Sequence, residues 1–193
     1  MKKAIGLMMA CMLALFSLSG CQDSNNSIEA LGITVDGGKT VDMQMNQEQV
    51  RNEMEEEPSS ITNSDSLFSD NWWGENNLSV DYETEDPYAV SGIFVLSGND
   101  GEVISSLGIG LGDSAASVKE KLGEFCSVTD SKDGKETTYS CAYRYTGGKY
   151  ELVDSSKTIG ELTGDSEDAK LYIASFSCQE DKVTSFYIAN ILV

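Results

Sequence analysis

The chain has no histidine among its 193 residues, which removes the commonest general base at neutral pH and the usual activator of a serine or cysteine nucleophile. Catalysis would have to rest on carboxylates. Asp and Glu number 32, enough to supply many pairs, yet no spacing singles out two of them as the acid and base of a glycoside hydrolase. Noncatalytic recognition is the stronger expectation, and the residues suited to it are aromatic. Trp72 and Trp73 are adjacent, so on extended backbone one turns inward and the other outward. Set between Ser69-Asp70-Asn71 and Gly74-Glu75-Asn76, the outward ring is a candidate partner contact; the alternative is that both rings pack under a loop. Tyr139, Tyr143 and Tyr145 share one face of a strand with Cys141, and suit either a binding sheet or a surface that a helix covers.

Cys126 and Cys141 flank Lys132-Asp133-Gly134-Lys135, a hairpin turn signal. A two-residue Asp133-Gly134 tip pairs Lys132 with Lys135 and, further out, Cys126 with Cys141. Counted from that tip, the cysteines occupy a hydrogen-bonded rung, where side chains diverge more than on the alternate rung; a bulge would reset the phase. A Cys126–Cys141 disulfide and a pair of buried thiols both stay open. Cys178 is left over. Without histidine or close Cys-x-x-Cys spacing, and without an Asp/Asn/Gly ligand loop, neither a metal site nor a cofactor is expected.

The elements that position these residues follow a leader. Met1-Lys2-Lys3 precedes an apolar run from Ala4 to Leu18, too short to span a bilayer, and small residues precede Cys21. Leu18-Ser19-Gly20-Cys21 resembles the lipobox of bacterial lipoproteins, which implies cleavage after residue 20, diacylation of Cys21 and a membrane anchor rather than a span. Residues 1–20 are therefore expected to be a signal peptide and 21–30, rich in Ser and Asn, a flexible tether. Cleavage moves the formal charge from −19 to −21. So acidic a body repels phosphate backbones and anionic headgroups, which argues against nucleic acid as a partner. The expected location is extracytoplasmic, on the cell membrane or the outer membrane, where Gln22 resembles the outer-membrane sorting signal.

Asn46 caps a helix expected over residues 46–56, with Gln49 as capping-box partner; Ser114 caps a second, expected to stop at Gly123. Strands are expected on either side, with hairpins at residues 90–107, 126–145 and 171–192 and a short pair at 33–43. Overlaying Val50 on Val118 also brings Met54 onto Leu122, Asn46 onto Ser114 and Val41 onto Ile109, the pattern of a duplication. Ile109-Gly110-Leu111-Gly112-Asp113-Ser114, followed by Val118 and Leu122-Gly123, is similar to the helix-start motif of small bacterial lipoproteins and secreted inhibitors. That group includes the small lipoprotein of the outer-membrane barrel-assembly machinery and the beta-lactamase inhibitory proteins. The resemblance implies short helices on one face of an antiparallel sheet. The expected fold is thus α+β in two related units, residues 31–108 and 109–193, each a short helix packed on an antiparallel sheet. The expected function is a membrane-anchored adaptor, inhibitor or assembly factor with a protein partner. A carboxylate-dependent glycan hydrolase and a small ligand-binding accessory of a transporter are the alternatives.

Overall fold

The computed structural model describes residues 27–64, 67–72, 77–85, 87–96, 102–124, 126–154, 157, 161–162 and 169–191. The leader, Cys21 and Trp73 lie outside them.

In chain order the described elements are β1 (Ser27–Ile28), β2 (Gly32–Val35), β3 (Lys39–Asp42), α1 (Gln47–Met54), β4 (Ser60–Ser64), β5 (Leu67–Trp72), β6 (Leu78–Tyr82) and β7 (Val90–Leu96). They continue with β8 (Ile104–Ser105), α2 (Ala115–Leu122), β9 (Ser127–Asp130), β10 (Glu136–Thr146), β11 (Lys149–Val153), β12 (Lys170–Gln179) and β13 (Lys182–Ile191). Ten strands form one antiparallel sheet in the order β1-β11-β10-β12-β13-β7-β6-β5-β4, with β9 on β10; β3-β2-β8 form a second sheet.

The fold is mostly β, and this corrects the α+β expectation of two helix-on-sheet units. Helices α1 and α2 have only eight residues each, and β7 pairs with β13, so strands from both halves of the chain share one sheet. The likeness that suggested duplication is local to the helix starts. Asn46 accepts from Gln49 N in a full capping box, and Ser114 accepts from Ser117 N. Gln47 N donates to Tyr88 O and Val90 N to Met45 O; likewise Ala115 N donates to Asp181 O and Val183 N to Asp113 O. Each helix is thereby stitched at its first turn to the start of a central strand, β7 or β13. Beyond that point the halves diverge: β4, β5 and β6 intervene before β7, whereas β9 to β12 intervene before β13. β8 pairs with β2 rather than closing a hairpin on β7, and Ser27 and Ile28 of the expected tether pair with β11.

One face of the large sheet carries the core. Trp72, Val80, Ile93, Val95, Phe176, Phe186 and Ile188 project there and are buried with Val50 and Met54 of α1 and Val118 and Leu122 of α2. The alternation that fills this face is the strand period of two. Asp70 is the exception. It projects into the same layer, fully buried, and receives Arg51 Nε at 2.8 Å and Nη2 at 2.7 Å, with Tyr82 OH at 3.2 Å and Gln47 Nε2 at 3.3 Å. The charged pair fixes α1 over β5 and β6.

Candidate recognition face

The opposite face of the sheet follows from the registers. Ser127 lies opposite Ser140, Ser140 opposite Ser175, Ser175 opposite Tyr187, and Tyr187 opposite Phe94. Phe94 lies opposite Ser79, Ser79 opposite Asn71, and Asn71 opposite Ser60. A single cross-strand row therefore runs from β9 to β4 with two aromatic rings at its middle and small polar side chains on both sides. The adjacent row holds Ala189, Gly92, Asp81, Ser69 and Thr62. Small residues beside the rings leave both half-buried on the sheet surface.

The rings are mutually held. Phe94 and Tyr187 stack with centroids 5.7 Å apart and planes at 24°, a geometry in which offset rings attract. A Cβ on Gly92 would sit 2.7 Å from Phe94 Cε2, so the Phe94 ring lies over Gly92 and glycine is what lets it lie there. Polar neighbours are tied down too: Ser140 and Ser175 hydroxyls bond at 2.8 Å, Thr138 and Ser177 at 3.1 Å, and Ser79 donates to Asp81 at 3.1 Å. Beside Phe94 is a cavity of about 300 Å³ lined by Asn71, Ser79, Asp81, Leu96 and three neighbours. Its one lining carboxylate among the described residues is Asp81, where a glycoside hydrolase needs two about 5 to 10 Å apart. Exposed Leu96 and half-buried Phe94 and Tyr187 supply apolar area, and half-buried Ser79, Asp81 and Ser140 supply hydrogen-bonding groups, whereas Ser69, Asn71 and Ser175 are buried within the sheet face. Rigid aromatic anchors in a ring of adaptable polar groups are what a binding surface needs.

The residues singled out from the sequence lie elsewhere. Trp72 is buried in the core and donates Nε1–H to Glu56 O at 3.4 Å, so it is not a surface contact. Tyr143 is buried, and Tyr139 and Tyr145 pack against the core on the helix-covered side. Of the two readings open for them, a binding sheet or a surface that a helix covers, their positions fit the second. Tyr145, Tyr150 and Tyr172 form an aromatic cluster with centroids 4.7 to 6.5 Å apart, and Gln44 Nε2 donates to Tyr150 OH at 2.7 Å and Tyr172 OH at 3.0 Å. Among the described residues no group of His, Cys, Asp and Glu could hold a metal ion, and no helix is long and apolar enough to cross a membrane.

Burial lifts the phenols of Tyr82, Tyr143, Tyr150 and Tyr172 above the ordinary value near 10, with Asp70 adding to the effect at Tyr82. A raised phenol favours the neutral folded state, so its contribution is whole below the unfolded pKa of about 10 and is lost as pH rises through the folded one. In a spectrophotometric titration these tyrosinates form together with loss of tertiary circular dichroism, not before it. Stepwise ionisation without unfolding would contradict their burial.

Sequence reasoning missed Phe94 and Tyr187 because it weighed tyrosine-rich β10 and the Trp pair. The signal was present in β6, β12 and β13, whose outward positions read Ser79 and Asp81, Ser175 and Ser177, Ser185 and Tyr187. Comparison with known protein families, curated proteins and solved structures finds no match.

Proposed function

We propose that the chain is a lipid-anchored extracytoplasmic lipoprotein that acts without catalysis, offering the face of its large sheet opposite α1 and α2 to a protein partner. The observation that carries the reading is the cross-strand row with Phe94 and Tyr187 at its centre. Leu18-Ser19-Gly20-Cys21 supports the anchor, with two acyl chains giving stable attachment. A formal charge of −19, with Asp81 beside the rings, favours a neutral or basic partner surface.

Crosslinking on intact cells tests it, comparing wild type with a Phe94→Ser/Tyr187→Ser variant. Loss of two anchors weakens partner capture by roughly thirty-fold or more, a hot-spot aromatic contributing about 2 kcal/mol. The unfolding midpoint, measured alongside, separates loss of contact from loss of fold. An unchanged set of crosslinked partners in a folded variant would remove the face from the proposal. Radiolabelled palmitate is expected in the wild type and absent from Cys21→Ala; equal labelling of neither would remove the anchor.

A further inference from the structure

β9 and β10 carry reactive groups that the recognition face does not use. Ser127 opposite Ser140 is the outermost rung of their ladder, and the next residues outward are Cys126 and Cys141. The opposition expected from the turn is therefore present, but its phase is not. Gly134 N donates to Ser131 O, and Ser131 N donates to Glu136 O at 2.8 Å, so the loop closes on Ser131/Glu136 instead of Lys132/Lys135. That rung is hydrogen-bonded. Alternation outward makes Ser127/Ser140 hydrogen-bonded too and Cys126/Cys141 the next non-hydrogen-bonded rung. On such a rung opposed Cα atoms lie about 4.5 Å apart with side chains drawn together, inside the span of a disulfide.

The side chains bear this out. The two thiols act on one another's ionisation, Cys126 Sγ donates to Ser127 O at 3.4 Å, and both are unbridged in this structure. Cys141 Sγ also reaches Leu122 O at 3.9 Å, at the end of α2. Cys178 lies opposite Thr137, roughly 13 Å along β10 from the Cys141 position at the usual rise per residue, too far to compete.

We propose that Cys126 and Cys141 are a disulfide site whose closure staples the chain leaving α2 to the middle of β10. A small-molecule disulfide such as glutathione disulfide supplies the oxidant. Cys126, the more accessible sulfur, attacks it as a thiolate, forms a mixed disulfide and releases one glutathione thiolate. Cys141 then displaces the second glutathione, so two protein thiols lose their protons and two electrons and one glutathione disulfide becomes two glutathiones. Burial, reinforced by the neighbouring Cys126 thiol, pushes the Cys141 thiol up to about 12, and burial also raises Cys126. Closure accordingly speeds up with pH through the mildly alkaline range.

Trypsin makes the test direct, because Leu122–Lys132, Glu136–Arg144 and Leu171–Lys182 each carry one of the three cysteines that follow Cys11 and Cys21. Purified full-length protein is incubated with glutathione disulfide, unfolded in guanidinium with an alkylating agent and digested without reductant. The expected product is Leu122–Lys132 linked to Glu136–Arg144, with alkylated Leu171–Lys182. The Cys178→Ser variant still forms the link and Cys126→Ser does not. In the linked protein the unfolding midpoint rises by several degrees relative to Cys126→Ser. Alkyl groups or glutathione on all three peptides, or a link to Leu171–Lys182, would overturn the assignment. Protein trapped by acid and alkylation directly from cells gives a separate arm. A link that forms in vitro but is missing there leaves the cysteine pairing standing and tells against the extracytoplasmic placement.

Discussion

Arg51→Ala lowers the stability of the folded protein by about 3 kcal/mol, the lower end of the usual loss when one partner of a buried ion pair is removed. The lower end applies because the Arg51 side chain is 35% exposed while Asp70 is 0% exposed. The cost arises at Asp70, which keeps only Gln47 and Tyr82 as side-chain donors and stays out of water. Chemical denaturation checks this. An Arg51→Ala/Asp70→Ala double variant recovers part of the loss, since the stranded charge is gone. Strictly additive single effects would show that Asp70 is not the source.

Trp72→Ala costs about 3 to 5 kcal/mol, the range for emptying a fully packed indole site. Its ring is among the largest fully buried side chains, while Phe68 on the same strand is only half-buried. Unfolding by guanidinium reads the loss, and the slope of the transition stays unchanged if the native state keeps its shape. Binding assays on this variant report folding rather than contact. Phe94 and Tyr187 are the better probes, because both project from the opposite side of the sheet and neither is needed to fill the core.

These two results bear on what the sequence made legible. Both helices, their caps and the stop of α2 followed from Asn46, Gln49, Ser114 and Gly123, because capping is local chemistry written within four residues, whereas α1 ends at Met54 with Glu55 in the left-handed conformation, short of the expected residue 56. The β9–β10 and β12–β13 hairpins were readable for the same reason, from a turn signal between runs of alternating character. Strands β4 and β5 were not. In β5 the buried Asp70 occupies a position that alternation reserves for an apolar residue, and its compensating charge, Arg51, lies on a helix far from it in sequence. In β4 every residue is exposed, so no alternation exists to detect. The β7–β13 pairing joins residues about ninety apart, as Phe94 and Tyr187 show, and no local pattern announces a partner so distant. That pairing decides both the fold class and the site: it welds the halves into one sheet and places the two rings side by side. Tyr139 and Tyr143 drew attention as tyrosines on one strand face, yet the face that strand shows to the helices depends on the long-range pairing as well.

The position of β1 sets a geometry for the proposed anchor. Whatever path residues 21–26 take, a chain that short reaches no more than roughly 20 Å, and Ser27 is already hydrogen-bonded into the sheet margin beside β11. β4 closes the opposite margin, eight strand spacings away, or roughly 38 Å. An acylated Cys21 would therefore moor the molecule by one rim like a sail on a mast. The Phe94–Tyr187 stack would ride near mid-height, clear of the headgroups and within reach of a neighbour standing on the same bilayer.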